Sequence, residues 1–418
     1  MKRNARDSKQ SSIVDSFASS ANYSKESAAK LSDGLKSFNN LKVGDSEAWC
    51  RLVRDRRWSR AQKFQLLEYF QCPCEVLSLS SQYSQSVISG QVRAVDPQVE
   101  QSVIDADLQW LSSVEHGLIG LFDDRYPDML KQLPDPPIAL FFIGNAELLA
   151  EPQVAIVGSR APTPIGDKVA KLISQDLANS GITITSGMAL GIDGVAHRAA
   201  LEVEGSSIAV LGNGLDIVYP RRNKSLFSLL ERDGLLVSEY PLGVSPGRYT
   251  FPQRNRIVSG LSHGVVIVEA AEKSGTLITA RLAMEQNREV MVVPGSALSA
   301  QYRGSHHLLN QGAVAVSNAR DVLECLAQPL STYLSSESVS INGSVVGDSK
   351  APQREQEGRV KIHFSHPLLA HISAESTSLD QIISSSQLTS AEVSSMLLEL
   401  ELQGAIAVAV DGGYVNLS

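Results

Sequence analysis

Val154-Ala155-Ile156-Val157-Gly158-Ser159-Arg160 is an unbroken apolar run that stops on Gly-Ser-Arg. Apolar residues in succession, with no polar alternate, mark a strand buried on both faces, as in a parallel sheet. Gly158 lets the backbone turn without a Cβ clash. Thr163-Pro164 supplies an N-cap and then proline at the first helical position. Strand, small-residue turn and helix start together form an anion site, because free backbone N–H groups and the helix dipole point into the turn. Arg160 adds a fixed positive charge.

Working outward, residues 152–326 repeat the unit. Ile182–Thr185 leads into Ser186-Gly187 and a helix from about Asp193 to Glu202. Ser207–Gly212 precedes a helix near Lys224–Glu231. The strand Leu235–Ser238 is followed by an irregular Pro/Arg/aromatic loop and the strand Val265–Glu269. A helix over Leu277–Gln286 then leads to the strand Val290–Val293. Strands alternating with helices predict a doubly wound, mostly parallel, Rossmann-like α/β sheet. Nearly every strand ends in Gly, Ser or Pro, so small-residue loops converge on the carboxyl rim, where such sheets hold ligands.

The flanks differ in pattern. Residues 1–44 are polar and Ser-rich and read as a flexible tail, and residues 45–111 as a small helical domain. The α/β unit then occupies 112–327, a Ser-rich linker 328–361 and a third domain 362–418. In that last part Pro367–Ile372, Leu379–Ser384 and Ala391–Gln403 read as helices, with Thr389 and Glu392 as a capping box. Ala405–Val410 and Tyr414–Leu417 read as a hairpin. Three helices and a hairpin spell a winged helix.

Net charge is −8, so nucleic-acid binding would need a local basic patch. The four cysteines (Cys50, Cys72, Cys74, Cys325) lack the spacing of a metal site and fit reduced cytosol, so no metal is expected. No apolar run approaches a membrane span and the N-terminus lacks a signal peptide's apolar segment, which predicts a cytoplasmic protein without a membrane partner.

Four motifs carry chemistry. The Gly-Ser-Arg turn is not G-x-G-x-x-G, since the next glycine is Gly166, and the second strand ends in Ser186 in place of a ribose-binding acid. With no P-loop either, no cofactor is expected. Asp193 and His197 lie one helical turn apart. An acid/base pair is one reading, and helix capping by Asp193 with a partner in His197 is the favoured one. Gly247-Arg248-Tyr249-Thr250-Phe251-Pro252-Gln253-Arg254-Asn255-Arg256 packs three arginines and two rings together. Arginines clamp phosphates and rings stack on unpaired bases; the bland alternative pairs the arginines with Glu239 and Glu269. Ser274-Gly275-Thr276 before a helix is a second phosphate cradle. Two cradles on one rim suit a polymer of phosphates. After Lys361 there is no Lys or Arg at all, so the winged helix fits a protein partner or a packing role better than duplex DNA.

VAIVGSRAPTPIGDKVA (154–170), ITITSGMALGIDGVAHRAAL (182–201), IAVLGNGLDIVYP (208–220), LLVSEYPLG (235–243), FPQRNRIVSGLS (251–262), VVIVEAAEKSGTLITARLAMEQNREVMVVPG (265–295) and GSHHLLNQGA (304–313) resemble, in order, the DNA processing protein A (DprA/Smf) family. The resemblance implies an extended Rossmann-like domain between a helical, SAM-like domain and a winged helix. It also implies a cytoplasmic, non-enzymatic, homodimeric protein that protects single-stranded DNA and loads the RecA recombinase on it, as in natural transformation. It assigns DNA contacts to Gly158, Ser159, Arg160, Ser186, Gly187, Arg221, Phe251, Arg254, Asn255, Arg256, Ser274, Gly275 and Thr276, and dimerisation to His306, His307 and Leu308. Leu190 departs from the family, which often carries Arg or Lys there. Two alternatives stand beside this reading. One is a nucleotide phosphoribohydrolase, whose Pro-Gly-Gly-x-Gly-Thr-x-x-Glu loop would place a catalytic glutamate where this chain has Thr279. The other is a duplex-DNA regulator acting through the winged helix.

Overall fold

A computed structural model describes residues 46–79, 99–334, 367–373, 376–386, 388–402, 405–409 and 412–416. The tail read over 1–44 and all of the 328–361 linker beyond residue 334 lie outside them.

The chain divides into two compact units. The first, up to Ser112 with Gly120–Asp123, is helical. Its helices are α1 (Ser46–Arg54), α2 (Arg60–Phe70), α3 (Pro73–Ser78) and α4 (Gln101–Leu111). Trp49 and Leu52 fall on one face of α1 and are buried, as are Leu66 and Leu67 of α2 and Ile104 of α4. Ser59 and Gln62 close a reciprocal capping box at the start of α2. Arg54 donates two hydrogen bonds of 2.6 Å to the fully buried carboxylate of Asp107, which ties α4 to α1.

In the second unit, β1 (His116–Gly120), β2 (Ala139–Gly144), β3 (Gln153–Gly158), β4 (Thr183–Ser186), β5 (Ser207–Leu211), β6 (Leu235–Ser238), β7 (Gly264–Val268), β8 (Glu289–Val292) and β9 (Val314–Ala315) form one nine-stranded sheet. Their order is β1-β2-β6-β5-β4-β3-β7-β8-β9. β2 runs antiparallel to β6, and every neighbouring pair from β6 to β9 is parallel. The chain winds from β3 out to β6, then crosses back to β7 on the other side of β3. That reversal puts a topological switch point between β3 and β7.

The connecting helices are α5 (Asp128–Lys131), α6 (Pro164–Asn179), α7 (Ile192–Glu202), α8 (Lys224–Asp233), α9 (Thr250–Leu261), α10 (Thr276–Glu285), α11 (Arg303–Asn310), α12 (Ala319–Cys325) and α13 (Ala327–Leu334). Val154 and Ile156 of β3, Val266 and Val268 of β7, and Ile173 and Leu177 of α6 share one core. The second half of the segment read as an irregular loop is α9. Pro252 sits in its first turn, where a missing N–H costs nothing. The range read as linker opens with α13.

The C-terminal segment has a 3₁₀ turn (Pro367–His371), α14 (Leu379–Ser386), α15 (Ser390–Leu402) and an antiparallel hairpin of β10 (Ile406–Val408) and β11 (Tyr414–Asn416). The N–H of Thr389 donates to the Glu392 carboxylate at 2.9 Å and the N–H of Glu392 to Thr389 Oγ1 at 3.4 Å, closing the capping box. Leu368, Ile382, Val393, Leu397 and Ile406 make this winged helix its own core.

Candidate nucleic-acid interface

Because β6 to β9 run parallel, the loops after them open on one edge. Backbone and side-chain bonds stitch these loops into a continuous rim. Gly214 N donates to Val244 O at 2.9 Å, joining the loops after β5 and β6. The Asn223 amide donates to Met188 O and Ala189 O, both at 3.1 Å, joining β5's loop to β4's. Ile192 N donates to Ser159 O at 3.1 Å, joining β4's to β3's. Thr276 Oγ1 donates to Gly158 O at 2.9 Å, so the two glycine-containing turns, 118 residues apart, touch. A rim fixed this way presents its side chains without a loop-ordering cost on binding.

Several of the N–H groups expected to cradle an anion are already bonded. Ser159 N donates to Val268 O (3.3 Å), Ala161 N to Ser159 Oγ (3.2 Å), Thr163 N to the Glu269 carboxylate (2.9 Å) and Gly166 N to Thr163 Oγ1 (3.1 Å). In the second turn Thr276 N donates to Ser274 Oγ (3.2 Å). Gly158 is glycine for a packing reason: a Cβ there would stand 1.9 Å from Val268 O.

The residues expected at the site separate into two sets. Arg160 and Arg221 are exposed and form no ion pair among the described residues. Phe251 is half-buried, its ring 5.4 Å from that of Tyr219 at an interplanar angle of 32°. Ser159, Gly187, Ser274 and Gly275 reach the surface. Ser186 does not: it is fully buried and donates to Ile156 O at 2.6 Å. Arg254 is only 5% exposed. Its Nη1 donates to Gly187 O at 2.5 Å and to Val210 O, and its Nε donates to Asn255 Oδ1 at 3.1 Å. Burial pushes Arg254 down to about 10, against the nearby Asp193 carboxylate and with help from Arg160. Arg256 is buried between Glu239 and Asp135, as the bland reading of the arginines allowed for Glu239. Thr276 is buried as well.

Asp193 caps the turn before its helix, accepting from Gly187 N (3.1 Å) and Ala189 N (3.4 Å). Burial raises its pKa. His197 is not its partner. It is fully buried, with Nδ1 2.8 Å from Ser207 Oγ and Nε2 accepting from Met188 N at 3.4 Å. Burial pushes it down to about 3, so it is neutral. An acid/base pair is therefore not assembled. Of the dimer residues, Leu308 is buried in its own chain, His306 Nε2 bonds Gly295 O at 3.0 Å, and His307 is exposed.

Sequence reasoning counts Arg248 and Tyr249 in the Arg/aromatic stretch but passes over Tyr219, Arg222 and Lys273; all five are exposed on rim loops. Tyr249 is 76% exposed, and Tyr219, though packed on Phe251, is still 43% exposed. The signal was available, since Tyr219-Pro220-Arg221-Arg222 and Arg248-Tyr249 follow the ends of β5 and β6. In the loops after β3 to β7, the exposed charges are five cations (Arg160, Arg221, Arg222, Arg248, Lys273) and two acids (Asp216, Glu272). Glu239 and Glu269 are turned inward and buried. Among the described residues no group of three or more His, Cys, Asp or Glu could hold a metal ion, and no helix is long and apolar enough to cross a membrane.

These features define a doubly wound α/β protein that lacks a dinucleotide fingerprint and carries a basic, aromatic carboxyl rim. A sequence profile described as DNA recombination-mediator protein A matches residues 117–327, and one for the DprA winged helix domain matches residues 365–412. The chain is 45% identical over 315 residues to Protein Smf of Escherichia coli (strain K12), covering 75% of this chain and 81% of that one. It is 38% identical over 257 residues to DNA processing protein DprA of Bacillus subtilis (strain 168), covering 60% and 86%. The X-ray structure of DNA processing protein A from Streptococcus pneumoniae matches with a TM-score of 0.59 and 35% identity, over 67% of this chain and 97% of that one. The chain belongs to the DNA recombination-mediator protein A (DprA/Smf) family.

Proposed function

We propose that the rim binds single-stranded DNA. The observation that carries this reading is the gathering of exposed, unpaired cations and exposed rings on one edge of an acidic chain. Arg160, Arg221, Arg222, Arg248 and Lys273 hold phosphates. Tyr219 backed by Phe251, and Tyr249 beyond them, offer stacking faces to bases. A duplex hides those faces, so stacking selects the single strand. The strands from β6 to β7 put four spacings of about 4.8 Å, roughly 19 Å, under these groups, room for several nucleotides. Gly158, Ser186, Arg254, Asn255, Arg256 and Thr276 shape this surface from beneath, while Ser159, Gly187, Ser274 and Gly275 stand at it.

Membership of the family supports the rest of the proposal: the protein works in the cytoplasm as a homodimer, through the region of His307, and delivers protected DNA to the RecA recombinase in transformation. It acts by binding and not by catalysis. Thr279 is buried and stands in place of the glutamate a phosphoribohydrolase needs. The winged helix, without a cation after Lys361, contacts protein. A gel-shift with single- and double-stranded oligonucleotides, with and without RecA, tests this. The expected result is a strong preference for the single strand and a supershift with RecA. Equal binding of both forms, or release of free base from a nucleoside monophosphate, would overturn it.

A further inference from the structure

In a sheet of this topology the helix start after the first strand, beside the switch point, is where a ligand phosphate sits. Here a side chain of the chain itself fills that place. Glu269 is the first residue after β7 and is fully buried. Its φ of +56° lies in the left-handed region, which is uncommon for a residue with a side chain. Its carboxylate accepts from Thr163 N at 2.9 Å, from Thr163 Oγ1, and from the Tyr302 hydroxyl at 2.9 Å. All three partners are donors, as an anion requires. A Cβ on Gly166 would stand 2.4 Å from Glu269 Oε1, so the carboxylate lies directly against the first turn of α6. The carboxyl of Asp167, next in that turn, is pushed up first by burial and then by Glu269.

We propose that Glu269 is a built-in anion that closes the phosphate position of the fold, and so is a specificity-determining residue. It excludes mononucleotides and dinucleotides from the switch point. It also leaves the phosphates of a polymer to the outer cations, a second consequence that rests on the single-strand reading above. Because the carboxylate bonds the loop after β3 and the loop after β8, it fixes the rim at the same time.

The first arm of the test contains no DNA. Full-length Glu269→Ala, Glu269→Gln and the wild type are titrated with inorganic phosphate and with AMP, against potassium chloride at matched ionic strength, and thermal melts are recorded. Phosphate should raise the melting temperature of Glu269→Ala saturably, with an apparent affinity about tenfold or more above that of the wild type. Glu269→Gln keeps the volume and a carbonyl acceptor and should stay closed. Equal phosphate response in wild type and Glu269→Ala, or in Glu269→Gln and Glu269→Ala, overturns the proposal. Should Glu269→Ala not fold on expression, the gain in its refolding yield from chloride to phosphate is compared with that of the wild type; a larger gain than the wild type's supports the plug, and equal gains overturn it. The second arm measures oligo-dT binding by the wild type. Its absence would sink the single-strand reading while leaving the phosphate result to stand by itself.

Discussion

Arg160→Ala and Arg254→Ala, made separately, divide a cation that meets a ligand from one that holds the rim together. Arg160 is exposed and unpaired among the described residues, so its loss leaves no buried group unsatisfied. A hydrogen bond to a charged group contributes about 1.5–3 kcal/mol, and solvent exposure puts this one at the low end, so oligo-dT affinity should fall roughly tenfold. One phosphate contact fewer lowers the slope of log affinity against log salt by about 0.7 for a single strand. The melting temperature should not move. Arg254 behaves in the opposite way. Its removal strips donors from Gly187 O and Val210 O and takes from Asp193 the cation that most offsets its buried charge. An uncompensated buried charge costs about 3–5 kcal/mol. At about 2–4 °C per kcal/mol for a domain of this size, the melt should drop by roughly 10 °C. The salt slope of whatever binding survives should match the wild type. Fluorescence anisotropy of labelled oligo-dT across a salt series, with thermal melts on the same samples, reads both quantities. An Arg254→Ala protein that melts normally but loses salt slope would refute this division, as would an Arg160→Ala protein with an unchanged slope.

Tyr219→Ala and Tyr249→Ala should each weaken oligo-dT binding by about 1–3 kcal/mol per stacked base while duplex binding stays as weak as before, with phenylalanine restoring affinity; competition gel-shifts check this. Thr276→Val removes the donor to Gly158 O, and its urea midpoint should fall by the equivalent of about 1 kcal/mol. The pKa of His197 is lower in the folded chain, about 3 against 6.5, so the stability it contributes is full above pH 6.5 and is lost as pH falls toward 3. His197→Gln should therefore flatten the loss of stability between neutral pH and about pH 5, measured by urea melts. The raised pKa of Asp193 works in the other direction, so a steeper acid loss in His197→Gln would count against the assignment.

The α/β architecture was legible because buried parallel strands announce themselves: Val154–Val157, Ile208–Leu211 and Leu235–Val237 are unbroken apolar runs with turn residues behind them. The capping box at Thr389 was legible for an equally local reason. What escaped was α9. Pro252, with Gly247 shortly before, punctuates the sequence like a loop, yet proline in a first helical turn is harmless. That error carried over to the site. Arg254 and Arg256 resemble Arg160 in composition, but α9 is covered on two sides. One arginine turns to Gly187 O and Val210 O, the other to Glu239 and Asp135. No local pattern separates an arginine whose partners lie 67 or 44 residues away from one with no partner. Gly187 illustrates the same limit. It reads as a cradle glycine, but a Cβ there would stand 2.5 Å from the Arg254 guanidinium, so it is small to admit that group.

Where unpaired cations gather beside exposed rings marks the working face better than the number of cations does. On the helix surfaces Lys171, Arg232, Arg281 and Arg320 each meet a carboxylate at 2.6–2.8 Å. Such exposed pairs add little stability, about 0–1 kcal/mol, but they show that this acidic chain has carboxylates to spare for its surface cations. On the rim the pattern reverses. Glu239 and Glu269, two of the four acids in these loops, point inward and are occupied by Arg256 and by Thr163 and Tyr302, which leaves five exposed cations against Asp216 and Glu272. Like charges left together repel one another, and nothing in the packing requires it. On the function proposed above, a polyanion supplies the missing counter-charge, and the exposed rings beside these cations restrict it to one whose bases are free to stack.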